Sequence, residues 1–531
     1  MSFKQLFKAD QSPTEVMGAI CARGPVAWNE LHPDDRGPLG VGKLRLVGIY
    51  DDNFDGTFML RTRIPGGRLT AGQLRAIAGV VSDFSLRSPG ADAPERFAEI
   101  TTRQNFQIHW IRFENLGEIW RRFSEVGLSS LEACGNSMRN ITSCPVEGID
   151  PSSHFDIGPV IDGLNSFALQ NERLSAFLPR KFKVAVTACH SDCVVARVNC
   201  VAFTPARKVG GLGFNVHLGG GLSDYPRLAT RADMFVTPEH AVDVVKAALR
   251  VFADLGDYQN SSINRFRALV HSLGIEKVEE EIRSRLPFEA LSAGDDLSSW
   301  ENEDHVGVHA DRNGSHYVGL CVPLGRMTAE DLAEIARLAD HHGDGQIRLT
   351  LRQNLILTGV KDVDRLLDEP LLERLRPDPD PFERGVIACT SAPFCKFAIL
   401  AMKPYGSKLI DHLRTNIPRE GWERLQGLRI HMSGCKASCA QVALAHVGLR
   451  ATMGKNEESV FDAFDVAMGG DAGAGQLASW RRGELPADAA FADVTRLLTS
   501  IANGEVDLSD LAQQQGFWSG GSEPASIEVT S

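Results

Sequence analysis

A chain of 531 residues, 43% hydrophobic and 23% charged, has room for three or four globular units at about 150 residues each, and that composition excludes collagen, coiled-coil and low-complexity architectures. With 56 basic against 68 acidic residues the formal charge is −12, which argues against coating nucleic acid or an anionic membrane and confines any anion site to a local basic pocket. Eleven cysteines in so long a chain favour metal or cofactor ligation in a reducing compartment over a disulfide scaffold. The first residues lack a signal-peptide apolar run, and the most apolar stretch, Gly385 to Met402, is short and interrupted by Lys396. A cytoplasmic protein with no membrane span is therefore expected.

In chain order, alternation predicts a strand over Phe58 to Ile64. Thr70-x-x-Gln73 is a capping box ahead of Leu74, Ile77, Val80 and Val81 at helical spacing. Strands are expected over Gln107 to Arg112, Phe182 to Thr187 and Phe214 to Leu218. Thr237-Pro238-Glu239 opens a helix that carries Val242, Val245, Leu249 and Phe252 on one face and stops near Gly256. The polar, turn-rich segment 286–305 marks a boundary between halves. Beyond it, Thr328 and Asp331 repeat the helix start, and Ile347 to Arg352 and Leu428 to Met432 read as strands. Residues 516–531 read as a mobile tail.

The chain also matches itself. Gly67-Arg68-Leu69-Thr70-Ala71 returns as Gly325-Arg326-Met327-Thr328-Ala329, and Arg103-Gln104-Asn105 as Arg352-Gln353-Asn354. Thr142-Ser143-Cys144-Pro145 answers Thr390-Ser391-Ala392-Pro393, Cys189-x3-Cys193 answers Cys435-x3-Cys439, and Phe214-x-Val216 answers Phe464-x-Val466. Matches in one order at about 250 residues indicate a duplicated unit with pseudo-twofold architecture, each half being α+β.

The second half adds Cys389-x5-Cys395 to Cys435-x3-Cys439. Four thiolates on two loops suit a [4Fe-4S] cluster, and Thr390, Ser391, Ala392, Gly434, Ala437 and Ser438 leave space for it. Structural zinc usually shows closer cysteine spacing and ranks below the cluster; inert buried thiols are the remaining alternative. In the first half, the positions matching Cys389 and Cys395 are Ile141 and Glu147. Cys189 and Cys193 are therefore read as relics or packing residues.

These cysteines resemble those of the assimilatory sulfite and nitrite reductases, which hold sirohaem coupled to a [4Fe-4S] cluster. The resemblance extends to residues Phe58 to Gly67, Thr101 to Asn105, Ala133-Cys134-Gly135 up to Arg139-Asn140, and Pro179 to Lys183. It implies ferredoxin-like half-domains and cofactor-binding α+β domains: a first-half ferredoxin-like region (1–125), a sirohaem and substrate domain (126–285), a linker with the second ferredoxin-like region (286–380) and a cluster domain (381–515). It further implies Cys439 as the bridge between cluster and sirohaem iron, with Arg103, Arg139, Lys181 and Lys183 binding the oxyanion. At least one of Arg61 and Arg63 would contact sirohaem carboxylates. Arg103 and Arg352 occupy matched positions; function is expected of the first and structure of the second. His109, His190 and His431 lie near the motifs and are assigned structural roles.

No glycine pattern fits a dinucleotide turn, so electrons must come from a partner, and the resemblance implies ferredoxin or a similar low-potential donor. The default expectation is a monomer. The segment Val195 to Cys200 departs from the family pattern. Lys183 leans the substrate towards sulfite, because a second ammonium suits a dianion better than monoanionic nitrite; reduction of nitrite to ammonium is the close alternative. A precorrin-3B synthase-like corrinoid enzyme is the distant one, and an iron-sulfur carrier is the non-enzymatic one.

Overall fold

The structure is a computed structural model that describes residues 11–31, 42–52, 56–86, 96–223, 225–457 and 459–511; the tail expected over 516–531 lies outside them. The chain divides into two compact units. The first comprises Met1–Gly221, Arg227–Leu320 and Arg326–Pro377, and the second Leu222–Pro226, Cys321–Gly325 and Asp378–Ser531.

Two antiparallel five-stranded sheets in the first unit carry the repeat in an unexpected way. One runs Ile49–Asp51, Thr57–Arg61, Phe106–Arg112, Phe97–Ile100, Arg326–Thr328; the other runs Gly307–Ala310, His316–Leu320, Leu355–Val360, Gln346–Leu349, Arg68–Thr70. The repeated segments that begin at Gly67 and Gly325 therefore exchange places: Met327 pairs with Ala98, and Leu69 with Ile347. The crossing is reinforced by matched glutamines, since Gln104 donates to the Leu349 carbonyl at 2.9 Å and Gln353 to the Ile100 carbonyl at 2.8 Å. Gly67 is required at the crossing. Its φ is 69°, and a Cβ there would stand 2.6 Å from the Leu349 carbonyl oxygen. Each exchanged strand runs into a helix, Ala71–Phe84 or Ala329–His342, and both helices start in complete capping boxes.

A third sheet of the first unit and the sheet of the second share one topology. In the first, Thr142–Ser143, Val184–Val186 and Val201–Lys208 are parallel, and Gly211–Leu218 and Thr230–Val236 continue antiparallel. In the second, Val386–Ala388, Ile430–Ser433 and Val447–Lys455 are parallel, followed by antiparallel Val460–Met468 and Ser479–Pro486. Phe182, Phe203, Phe214, Phe252 and Phe266 fill the core between the first of these sheets and its helices, which include Gly158–Gln170 and Ala241–Leu255. Phe464 and the leucines of Met402–Asn416 and Ala487–Ala502 do so in the second. Parallel strands deliver their following loops to one edge of a sheet, which is where polar chemistry can gather without disturbing the core.

Several strands are shorter than their alternation predicts. The one expected over Phe58 to Ile64 ends at Arg61, where the Thr62 hydroxyl accepts from the Phe106 amide at 3.0 Å and closes the ladder. Val184–Val186 replaces the longer strand expected over Phe182 to Thr187, which leaves Lys181 and Lys183 in the connection before it. Among the described residues, no helix is long and apolar enough to cross a membrane.

Candidate active site

The first unit gathers cations where loops meet the edges of its sheets. Arg103 lies in the turn after Phe97–Ile100, where its amide donates to Thr101 Oγ1 at 3.1 Å. Its guanidinium donates to the Asn140 carbonyl at 3.1 Å and to Asn199 Oδ1 at 2.8 Å. Asn140 is the hub of the arrangement. Its amide donates to the carbonyls of Ile64 (2.8 Å) and Arg103 (2.9 Å), and its oxygen accepts from the Ile64 amide at 2.9 Å. Next to it, the Arg139 amide donates to the Phe182 carbonyl at 2.9 Å, which sets Arg139 beside the segment of Lys181 and Lys183. Arg139 Nε is anchored on the Ala133 carbonyl at 2.8 Å.

These groups repel one another. Burial, then Arg103, Lys181 and Arg265, hold the Lys183 ammonium well below the usual lysine range. Burial, then Arg139, hold Arg103 below the ordinary guanidinium range, with Arg61 adding to the effect. Arg265 is pushed down to about 10 by burial, then by Arg267 and Arg180. It joins the cluster from a segment with no motif, so the sequence held no signal for it. Arg61 donates to Gln107 Oε1 at 2.7 Å, and Arg63 to Asn165 Oδ1 at 2.7 Å and the Met138 carbonyl at 3.1 Å. Arg61 Nε and Arg63 Nη2 are nevertheless buried without a hydrogen-bond partner. Like charges this concentrated, with buried guanidinium donors left over, fit a bound group rich in carboxylates together with an oxyanion.

Glu132 buttresses the loop that carries Arg139. It accepts from Ser175 Oγ at 2.6 Å, and burial, opposed mainly by Arg63, pushes its carboxyl up to about 7. A raised carboxyl binds its proton more tightly in the folded state. Its contribution is therefore complete below the ordinary value of 4.5 and is lost as pH rises towards about 7, an effect of about 3 kcal/mol at most. Glu132→Gln is expected to remove that part of the pH dependence of the thermal unfolding midpoint; an unchanged slope between pH 4.5 and 7 would contradict it.

In the second unit, parallel pairing of Ala388 with Met432 brings two loops to one edge. The Cys389 amide donates to the Met432 carbonyl at 3.0 Å, and the Gly434 amide donates to Cys389 Sγ at 3.2 Å. Ser391 Oγ donates to the Leu400 carbonyl, and the Ile399 amide to the Gly434 carbonyl at 2.8 Å. A Cβ on Gly434 would collide with Ser391 Oγ. Cys389, Cys395 and Cys435 are half-buried and Cys439 is exposed. Burial, then Cys439, Cys435 and Cys395, push the Cys389 thiol up, so the four sulfurs share one neighbourhood. Four thiols in one neighbourhood suit a cluster whose four irons each take a separate thiolate.

The remaining candidates contact protein. Arg352 donates to Asn302 Oδ1 at 2.8 Å and lies 3.6 Å from Asp304. His109 lies 3.6 Å from the buried Glu99. His190 Nδ1 lies 3.3 Å from the Leu297 carbonyl, and His431 Nδ1 3.2 Å from that of Gln441. Cys189 and Cys193 are buried in an apolar cluster with Val146, Val194 and Ile356.

Comparison with known proteins gives this geometry a family. Residues 134–289 match the nitrite and sulphite reductase 4Fe-4S domain, and residues 53–126 and 309–372 match the nitrite/sulfite reductase ferredoxin-like half domain. An assimilatory ferredoxin-dependent nitrite reductase of Haloferax mediterranei is 36% identical over 94% of this chain and 89% of its own. The chain belongs to the nitrite and sulphite reductase family. A ferredoxin–nitrite reductase of Synechococcus elongatus is 35% identical over 84% of this chain and 86% of its own. The NirA protein of Mycobacterium tuberculosis superposes with a TM-score of 0.82 at 26% identity, covering 94% of this chain and 93% of that one.

The reductase is thus an α+β oxidoreductase of the sulfite/nitrite type that uses a [4Fe-4S] cluster and sirohaem. The lean towards sulfite is corrected. The relatives that match most of the reductase are named nitrite reductases. Burial, then Arg103, Lys181 and Arg265, weigh against the charged form of Lys183, so its side chain cannot be counted as an isolated ammonium.

Proposed function

We propose that the reductase carries out the six-electron reduction of nitrite to ammonium, with ferredoxin or a similar low-potential protein as donor. The mutual proximity of the cations Arg103, Arg139, Lys181 and Lys183 carries this reading, and the relatives' names support it. Cys389, Cys395, Cys435 and Cys439 are the cluster ligands in this reading, with Cys439 also next to the sirohaem iron, and Arg61 and Arg63 receive the sirohaem carboxylates. When bound, sirohaem supplies an iron that takes the anion, while the cluster stores and passes single electrons.

The chain's own residues hold and protonate. Arg103, fixed by Asn140 and Asn199, offers directional donors to anionic oxygen. The depressed Lys183 ammonium releases a proton at Nζ more readily than an exposed lysine does, and the departure of both nitrite oxygens as water consumes protons. The reaction consumes one nitrite, six electrons and eight protons and yields one ammonium and two waters.

Anaerobic turnover with reduced ferredoxin tests the proposal. Nitrite kcat/KM is expected to exceed that for sulfite by at least about 10-fold, with ammonium as product. Sulfide formation faster than ammonium formation would overturn it.

A further inference from the structure

The duplication leaves a second set of thiols that the reaction does not use. Cys144 follows Thr142–Ser143 and Cys189 follows Val184–Val186, the same edge of the parallel pair from which Cys389 and Cys435 leave their sheet in the second unit. Cys193 completes a trio whose sulfurs all lie within 4.8 Å of one another, all three side chains being buried. Cys189 and Cys193 sulfurs are 3.8 Å apart. Two thiolates on one tetrahedral zinc, each about 2.3 Å from the metal, stand roughly 3.8 Å apart. Thiolates on a cubane sit on separate irons and stand wider. The spacing therefore matches a single ion.

A candidate fourth donor packs on Tyr317, outside the 4.8 Å set of the three sulfurs. His305 is 3% exposed, and its Nε2 is buried without a hydrogen-bond partner. Its Nδ1 lies 3.4 Å from the Tyr317 hydroxyl, and Tyr317 packs in the same apolar cluster as the three cysteines. An imidazole oriented through one nitrogen with the other left over is the usual state of a histidine ligand. Thr187 Oγ1, 3.1 Å from Cys189 Sγ, supplies a polar contact to the sulfur.

We propose that Cys144, Cys189 and Cys193 form a structural site for one thiophilic d10 cation, zinc, and that the bound ion draws in the His305 imidazole as fourth donor. Binding releases the thiol protons and leaves three thiolates on the ion, a closed set with no open position for catalysis. The site ties the loop after Thr142–Ser143 to the loop after Val184–Val186.

Elemental analysis of the holoenzyme, purified anaerobically from zinc-supplemented cells and washed with a chelator, tests the site. One zinc per chain is expected beside the iron of cluster and sirohaem. Cys144→Ser and Cys193→Ser should each lower zinc occupancy at least about 10-fold while the iron content and visible spectrum hold. Zinc K-edge X-ray absorption on the unaltered holoenzyme needs no variant to fold, and should show three sulfurs at about 2.3 Å with one lighter atom. Substoichiometric zinc after supplementation, a zinc shell without sulfur, zinc retained by both variants, extra iron in its place, or a Cys189 to Cys193 disulfide in the peptide map would each overturn the proposal.

Discussion

Cys439→Ser is expected to yield a folded chain that has lost the coupled spectrum of cluster and sirohaem and at least about 100-fold of its nitrite turnover, since removing even groups behind a metal's ligands costs 10- to 100-fold. Two loops at one sheet edge hold the four cysteines. The Gly434 amide on Cys389 Sγ and the Ile399 amide on the Gly434 carbonyl couple them. Serine keeps the size of cysteine but offers a hard oxygen, which iron of a cluster binds less well than sulfur. Because Cys439 is exposed and is not part of the apolar core, the substitution should leave the thermal unfolding of the unit's sheet largely intact. Electron paramagnetic resonance of the reduced protein is the deciding measurement. An unaltered spectrum together with full activity would remove Cys439 from both of its proposed roles.

Arg103→Ala should lower kcat/KM for nitrite by about 100- to 1000-fold, the range found when one preorganised donor to a developing oxyanion is deleted. Loss of positive charge has a second consequence. Arg103 is the largest charged influence holding Lys183 down after burial, so its removal raises the Lys183 ammonium towards the ordinary lysine value. If the protonated ammonium is the active form, the alkaline fall in turnover should move to higher pH in the variant. Arg103→Lys keeps the charge but not the planar fork that reaches Asn140 and Asn199, and should recover the pH profile better than the rate. A variant with wild-type kcat/KM and an unmoved profile would take Arg103 out of the reaction. Arg352→Ala is the matched control. Its partners are Asn302 and the buried Asp304, so the cost should fall on stability.

The substrate expectation shows where reading residues one at a time fails. Lys183 in the sequence alone has no surroundings, so its ammonium reads like that of any exposed lysine. In the folded chain its neighbours are Arg103, Lys181 and Arg265, two of them distant in sequence. Cys189 and Cys193 do pack in an apolar cluster, as the missing partner pair in the first half leads one to expect; the zinc proposal adds a role to that packing. Cys144 stood in view as part of Thr142-Ser143-Cys144-Pro145, but nothing in the spacing told that its sulfur reaches the other two.

The sequence by itself determined what is local or ordered along the chain. Both capping boxes act over three residues, the two cysteine pairs announce the cluster through their spacing, and the duplicated unit is legible because equal segments recur in one order. Tertiary structure decided which segments pair and which charges meet. The repeats beginning at Gly67 and Gly325 give no sign that each strand joins the opposite sheet, because either sheet would satisfy the same alternation of side chains. Arg265, Asn140 and the Cys144 thiol joined their neighbours only once distant loops had converged, since electrostatic fields and ligand sets are sums over neighbours in space, and a sequence lists neighbours only along the chain.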